Sequence, residues 1–198
     1  MAEIPKDGQI RPITRWGAEV MHRPNRRVET FDDQLAKLVA DMWVTMVAAD
    51  GVGLAANQIG VDLAVVVYSC HDEDGVVHEG VLCNPVVELP EGKDRELDDS
   101  DEGCLSLPGG YVPCARPDFA RAYGTDHLGN EISVSGTGLL ARCLQHETDH
   151  TNGMVFGDRL SKRWRKRLYA EAEKVADLYP PDWPVSSSSD ASDHPVSE

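Results

Sequence analysis

No stretch of this sequence approaches the ~18 consecutive apolar residues that a membrane-spanning helix needs, and the opening run MAEIPKDGQIRPITRWG holds no apolar core of a secretion signal. The chain is therefore expected to be soluble and cytoplasmic, with no membrane partner. Basic residues are few, 19 Lys and Arg against 34 Asp and Glu, for a net charge of −15. A field of that sign repels phosphate backbones and anionic lipid, which excludes general nucleic-acid binding. The cysteines are an odd five, at positions 70, 83, 104, 114 and 143, so reduced thiols are expected in place of a disulfide framework. Internal repeats are lacking too. What is present, 198 residues of which 41% are hydrophobic, suffices for one globular domain with a real core, placed over 1–178.

Apolar residues at Phe31, Leu35, Leu38, Val39, Met42 and Met46 recur at intervals of three and four, which predicts an amphipathic helix over 31–49. Thr30 is the expected N-cap, and Gly51 and Gly53 stop the helix. Two β-rich runs, 63–68 and 81–87, flank the turn-like HDEDG and predict an antiparallel pair. The acidic stretch 88–102 reads as a surface loop, and further strands are expected at 120–123 and 132–134. Helical patterns return over 138–150, with Gly153 as a stop, and over about 161–178. The remainder, 179–198, is Pro-, Ser- and Asp-rich and is expected to be a disordered tail.

The chemistry concentrates in QHETDH, 145–150. Positions four apart share a helix face, so His146 and His150 can chelate one cation, and Glu147 is rotated by about 100° to where it reaches a metal-bound water as general base. Incidental surface histidines, or core histidines bonded to carbonyls, are the bland alternative. Asp149 suits a partner for a histidine about as well as a helix-surface carboxylate. A catalytic site needs a third protein ligand. Gly153 fits one metalloprotease pattern, but Phe156 stands where that pattern needs a third histidine. The spacing alone leaves a carboxylate such as Asp158 or Glu171 open beside the thiol of Cys104. Cys70, Cys83 and Cys143 read as small buried hydrophobes, and Cys114 is ambiguous.

Three separated segments, GVGLAANQ (51–58), EGCLS (102–106) and QHETDH (145–150), together resemble the three signature motifs of bacterial peptide deformylases, in order and in approximate spacing. The resemblance implies an α+β fold, with antiparallel β-sheets packed around a central helix that carries the HExxH motif, plus a C-terminal helix. It implies a metal-dependent hydrolase that removes the formyl group from the N-terminal formylmethionine of new polypeptides. It carries Cys104, His146 and His150 over as metal ligands, Glu147 as acid/base, and Gln58 with the backbone N–H of Leu105 as donors to the formyl oxygen. Val52, Gly53, Gly103 and Tyr111 are carried over as substrate contacts. One divalent ion per chain is implied, ferrous iron in the cell with zinc or nickel as substitutes, whereas donor softness alone suits zinc. Two places depart from many relatives: Thr151 stands where they have a leucine, and the loop after Cys104 reads LPGGYVPCARPD where they have an arginine near the substrate.

Against the acidic background, RLSKRWRKR places six basic residues between Arg159 and Arg167 with no acidic one. It reads either as a solvated helix face or as an electrostatic contact with the ribosome, with Trp164 available to stack on RNA. Two rival functions remain at this level: a zinc peptidase cutting internal bonds, and a metal-stabilised binding module without turnover.

Overall fold

The computed structural model describes residues 2–186, without the side chain of Asp94. Helix α1 (Asp33–Ala48) begins where the Asp32 carboxylate accepts the N–H groups of Gln34 and Leu35, at 3.1 and 3.0 Å. The cap is thus Asp32 and not Thr30, because the aspartate lies one position before the first helical turn and satisfies two of its free donors. Next come strand β1 (Gly53–Ala55), a single 3-10 turn at Ala56–Ile59, and strands β2 (Val65–His71) and β3 (Val77–Glu88). The acidic stretch after β3 is only partly loop. It holds strand β4 (Leu97–Asp98) and strand β5 (Asp101–Cys104), the latter hairpinned to β6 (Leu107–Pro113). Strands β7 (Arg116–Pro117), β8 (Phe119–Thr125) and β9 (Glu131–Thr137) follow, then helices α2 (Gly138–Thr151) and α3 (Lys162–Lys174).

The main sheet is antiparallel throughout, in the order β1-β2-β3-β8-β9, while β4 pairs with β7 and β5 with β6. Its two faces are read directly from the pleat. In β2, Val65 and Val67 pack toward Leu35, Val39, Met42 and Met46 of α1, whereas Val66, Tyr68 and Cys70 pack toward Leu140, Ala141, Cys143 and Leu144 of α2. Burial on both faces explains why the run VVVY lacks polar alternation. Every residue of α2 from Leu140 to Thr151 is buried, so the central helix of the expected α+β architecture is present, wrapped by sheet. A third cluster joins Trp16, Met21, Cys104, Val112, Phe156 and Leu168, and this ties the β5-β6 hairpin to α3.

The chain from 179 to 186, expected as part of a disordered tail, is folded against the body: Trp183 is buried and its carbonyl accepts the Ile13 N–H at 2.9 Å. Two large aromatics, Tyr179 and Trp183, supply the apolar area that the Pro- and Ser-rich composition conceals. Residues 187–198 of that expected tail lie outside the described residues.

The N-terminal segment crosses α1 closely, since a Cβ on Gly8 would lie 2.2 Å from the Ala40 carbonyl carbon. Asp41 anchors it by accepting from the Gln9 N–H (2.8 Å), Arg11 (3.2 Å) and Lys37 (3.1 Å). Burial alone would raise the Asp41 pKa, but these three donors outweigh it and hold it below the usual carboxylate value. A depressed folded pKa gives stability that is complete above the unfolded value of about 3.9 and is lost as pH falls through the folded one. Asp41→Asn should therefore cost about 1.5–3 kcal/mol at neutral pH, with the gap to wild type closing below about pH 4. Urea unfolding at pH 7, 5 and 3 checks this, and a pH-independent gap would contradict it.

Candidate metal centre and catalytic site

The i, i+4 spacing on α2 sets His146 and His150 side by side, with their Nε2 atoms 3.1 Å apart. Strand β5 delivers Cys104 to the same point, its Sγ 3.3 Å from the His150 Nε2. These three donor atoms lie within 4.8 Å of one another, and all three residues are buried. A tetrahedral ion with bonds of about 2.0–2.3 Å needs ligand–ligand edges of roughly 3.3–3.7 Å, and the two separations at His150, 3.1 and 3.3 Å, are close to that. One thiol and two imidazoles also form a set suited to a borderline-soft divalent ion. Among the described residues no other group of three possible ligands gathers. Asp158 instead accepts the Val155 N–H, and Glu171 pairs with Lys174 on the surface of α3, so neither carboxylate competes with Cys104 for the third position.

The tautomer is set from behind. His146 Nδ1 lies 2.7 Å from Glu102 Oε1, so Nδ1 carries the hydrogen and the Nε2 lone pair points at the ligand cluster. Glu102 in turn receives Arg116 through Nε (2.7 Å) and NH2 (2.6 Å), and Arg142 through NH1 (2.7 Å). Burial works against its charge, but Arg116 and His146 overcome this and hold Glu102 well below the usual carboxylate range. Arg116 also reaches Asp149 at 3.0 Å, and Arg159 closes on the same carboxylate from the surface. Asp149 is therefore neither a direct partner of a histidine nor a solvated surface group. Arg142 extends the network to Asp98 at 2.8 Å, which pins the acidic stretch that the sequence leaves without a role.

Proton affinities follow from this arrangement. Burial disfavours charge on both imidazoles; at His146 the Cys104 sulfur and Glu102 outweigh it and raise the pKa well above normal. At His150 burial, helped by the charge on His146, pushes the pKa well below normal. Glu147 is raised to about 7, first by burial, with His146 opposing and Glu102 adding. Its Oε2 is buried without a protein partner.

Around this centre lies a cleft of about 390 Å³, and its walls include Gln58, Cys104, Leu105, His146 and Glu147 together with Val52, Gly53, Gly103 and Tyr111. Every one of the site residues picked out from the sequence except the innermost, His150, thus borders one cavity. Gln58 is oriented by the Ala55 N–H donating to its Oε1 at 2.8 Å, while its Nε2 points toward Cys104 Sγ (3.6 Å) and Ser106 Oγ (3.3 Å). Trp16 adds an indole N–H to the same sulfur at 3.4 Å. Gly53 has a firmer reason than backbone access: its Cβ would fall 2.6 Å from Glu147 Oε1 and 2.7 Å from Cys143 Sγ. Gly103 lies beneath the Tyr111 ring, where a Cβ would come within 2.2 Å of it. Cys114 is a buried hydrophobe whose carbonyl accepts Arg142.

Glu102, Arg116, Arg142, Trp16, Tyr179 and Trp183 were not singled out by the sequence. The one signal for Glu102 is its place two residues before Cys104. Glu102→Gln keeps an acceptor for the His146 Nδ1–H but removes its charge, and should weaken metal binding about 10–100-fold, the usual loss when the partner behind a histidine ligand is altered. Competition with a chelator during titration measures it, and an unchanged affinity would show that His146 is oriented by packing alone.

A family profile described as polypeptide deformylase matches residues 10–166. The chain is 53% identical over 174 residues to peptide deformylase 1 of Streptomyces avermitilis, covering 87% of this chain and 80% of that protein. It is 45% identical over 160 residues to peptide deformylase 2 of Corynebacterium efficiens, covering 79% and 83%. Among solved structures, a peptide deformylase from Legionella pneumophila superposes with a TM-score of 0.74 at 38% identity, covering 85% of this chain and 96% of that one. One from Synechococcus elongatus in complex with actinonin gives 0.74 at 34% identity, covering 89% and 95%.

Proposed function

The chain belongs to the peptide deformylase family, and from that premise we propose how its own residues perform deformylation. The reaction adds water to an N-formyl peptide and yields formate and a free α-amine. One observation carries the reading: Cys104, His146, Glu147 and Gln58 border a single cleft, with His150 directly behind.

Cys104, His146 and His150 would hold one divalent ion, ferrous iron in the cell, with zinc or nickel as substitutes. When bound, the ion supplies Lewis acidity toward water and the formyl carbonyl at neutral pH. Glu147 accepts a proton from the attacking water at its carboxylate as the new C–O bond forms on the formyl carbon. It returns that proton to the nitrogen as the C–N bond breaks. Gln58 Nε2 and the Leu105 N–H donate to the oxygen that gains negative charge, and Gln58 is ready for this because Ala55 holds its Oε1. Val52, Gly53, Gly103 and Tyr111 border the path of the peptide.

Anaerobically prepared protein should release formate from formyl-Met-Ala-Ser and leave Met-Ala-Ser intact. Internal peptide fragments would instead indicate a peptidase, and no product at all a binding module. No helix among the described residues is long and apolar enough to cross a membrane; a cytoplasmic location, where new polypeptides are made, is part of this reading.

A ribosomal contact through α3 is the second part of the reading. Arg159 is drawn to Asp149, and Arg165 donates to the Gly157 carbonyl at 2.7 Å. Lys162, Arg163, Lys166 and Arg167 are exposed, with Trp164 lying against Arg163 and Arg167. Reversing these four charges should weaken co-sedimentation with ribosomes and leave dipeptide turnover unchanged; undiminished co-sedimentation would remove the contact.

A further inference from the structure

The two imidazoles of the metal centre are held differently from behind. His146 has Glu102 at its Nδ1, whereas the Nδ1 of His150, a fully buried residue, meets no hydrogen-bond partner among the described residues. His150 turns its Nε2 toward the Cys104 sulfur and His146 Nε2, so its Nδ1 carries the hydrogen. A buried N–H is rarely left unpaired.

Two carboxamides lie against the same end of α2. Asn57, fully buried in the 3-10 turn after β1, donates through Nδ2 to the His150 carbonyl at 2.7 Å and to the Val20 carbonyl at 3.5 Å. Asn25, also buried, donates through Nδ2 to that same Val20 carbonyl and to the Asp62 carboxylate, both at 3.4 Å. Its backbone N–H reaches the Thr151 carbonyl at 2.9 Å. Every partner of the two carboxamide nitrogens is an acceptor, which fixes each nitrogen and turns each oxygen away from it. Both oxygens are buried and have no hydrogen-bond partner among the described residues. The shared Val20 carbonyl joins the two carboxamides, and the bonds to residues 150 and 151 set both behind His150. One unpaired donor and two unpaired acceptors thus occupy one polar patch at the C-terminal end of α2. A single water, accepting once and donating twice, completes such a set with three bonds, the usual number for a buried water.

We propose that one buried water accepts from His150 Nδ1–H and donates to the oxygens of Asn57 and Asn25, which makes these two asparagines positioning residues for His150. Through the water they fix the tautomer and rotation of this ring, as Glu102 does directly for His146. Asn57 thereby has a role within GVGLAANQ separate from that of Gln58. The inference rests on the reading of His150 as a metal ligand.

Zinc-loaded protein with isotope-labelled histidine tests it by NMR, together with zinc affinity from chelator competition. In the wild type the His150 Nδ1–H signal should persist and show a cross-peak to a slowly exchanging water, whereas that of His146, bonded to Glu102, should show none. Asn57→Leu should speed exchange of the His150 proton and weaken zinc binding about tenfold, the lower end of the range for a partner behind a histidine ligand. Asn25→Leu removes one of the two oxygens and keeps the backbone bond to Thr151, so a smaller loss of about threefold is expected. That variant keeps the test open should Asn57→Leu fail to fold. The His146 signal should be unchanged in both. No water at His150 Nδ1 in the wild type would overturn the inference, as would wild-type zinc affinity in either folded variant. Equal changes at His146 and His150 would overturn it too, since general loosening of the site would explain them. Zinc binding by His150→Ala as tight as that of the wild type would instead remove the reading of His150 as a ligand, and this inference with it.

Discussion

Glu147→Gln should lower turnover on formyl-Met-Ala-Ser by about 10²–10⁴-fold, the range expected when a positioned acid/base is lost, while the protein still folds and still binds one metal ion. The substitution keeps the side chain's size, so the contact with Gly53, where the backbone has no Cβ to spare, is preserved. It removes only the capacity to take and return a proton. Burial already disfavours charge at this position, so the metal-free variant should melt no lower than wild type. A lost residue that lowers activity without lowering stability is what a group held for chemistry predicts. Activity within tenfold of wild type would mean that another base serves. The only other carboxylate in the buried part of the cleft, Glu102, is engaged by two arginines and His146.

Arg116→Met should be the most destabilising single change near the site, by about 3–5 kcal/mol, the usual cost of leaving one partner of a buried ion pair uncompensated. Arg116 is 2% exposed and bonds Glu102 through two nitrogens and Asp149 through a third. Its removal leaves Glu102 with Arg142 and His146 alone and leaves Asp149 to Arg159. Glu102→Gln combined with Arg116→Met should cost less than the sum of the two, because the orphaned charge is gone. Metal affinity should stay low in the double variant, since the acceptor behind His146 has lost its charge. Chemical denaturation of the four proteins completes the cycle, and a loss below about 1 kcal/mol for Arg116→Met would show that the network adds little to folding.

How much of this was readable in the sequence depended on how far apart the interacting residues lie. His146, Glu147 and His150 occupy a single helix, so their geometry follows from 3.6 residues per turn. Helices α1 and α2 follow likewise from local periodicity, and the pair β2-β3 from two β-rich runs that flank a turn-like segment. The hairpin β5-β6 is hidden in the sequence because DEGC and LPGGYVP have the composition of a loop; Leu168 on α3 packs on it from more than 50 positions away. The link from Glu102 to His146 spans 44 positions, and no local pattern marks it. Spacing alone does not separate Cys104 from Asp158 and Glu171; the resemblance does, and the geometry that favours Cys104 depends on β5 side chains meeting α2. The folded stretch 179–186 is not legible in the sequence because two aromatics are diluted by Pro and Ser, whereas in the structure Trp183 is buried.

The most direct test is X-ray absorption at the metal edge of anaerobically purified protein loaded with one iron or zinc per chain. The predicted result is one sulfur and two imidazole nitrogens in the coordination shell, the sulfur lost in Cys104→Ser and one imidazole lost in His150→Ala. A shell without sulfur, or one filled by four protein donors, would contradict the account.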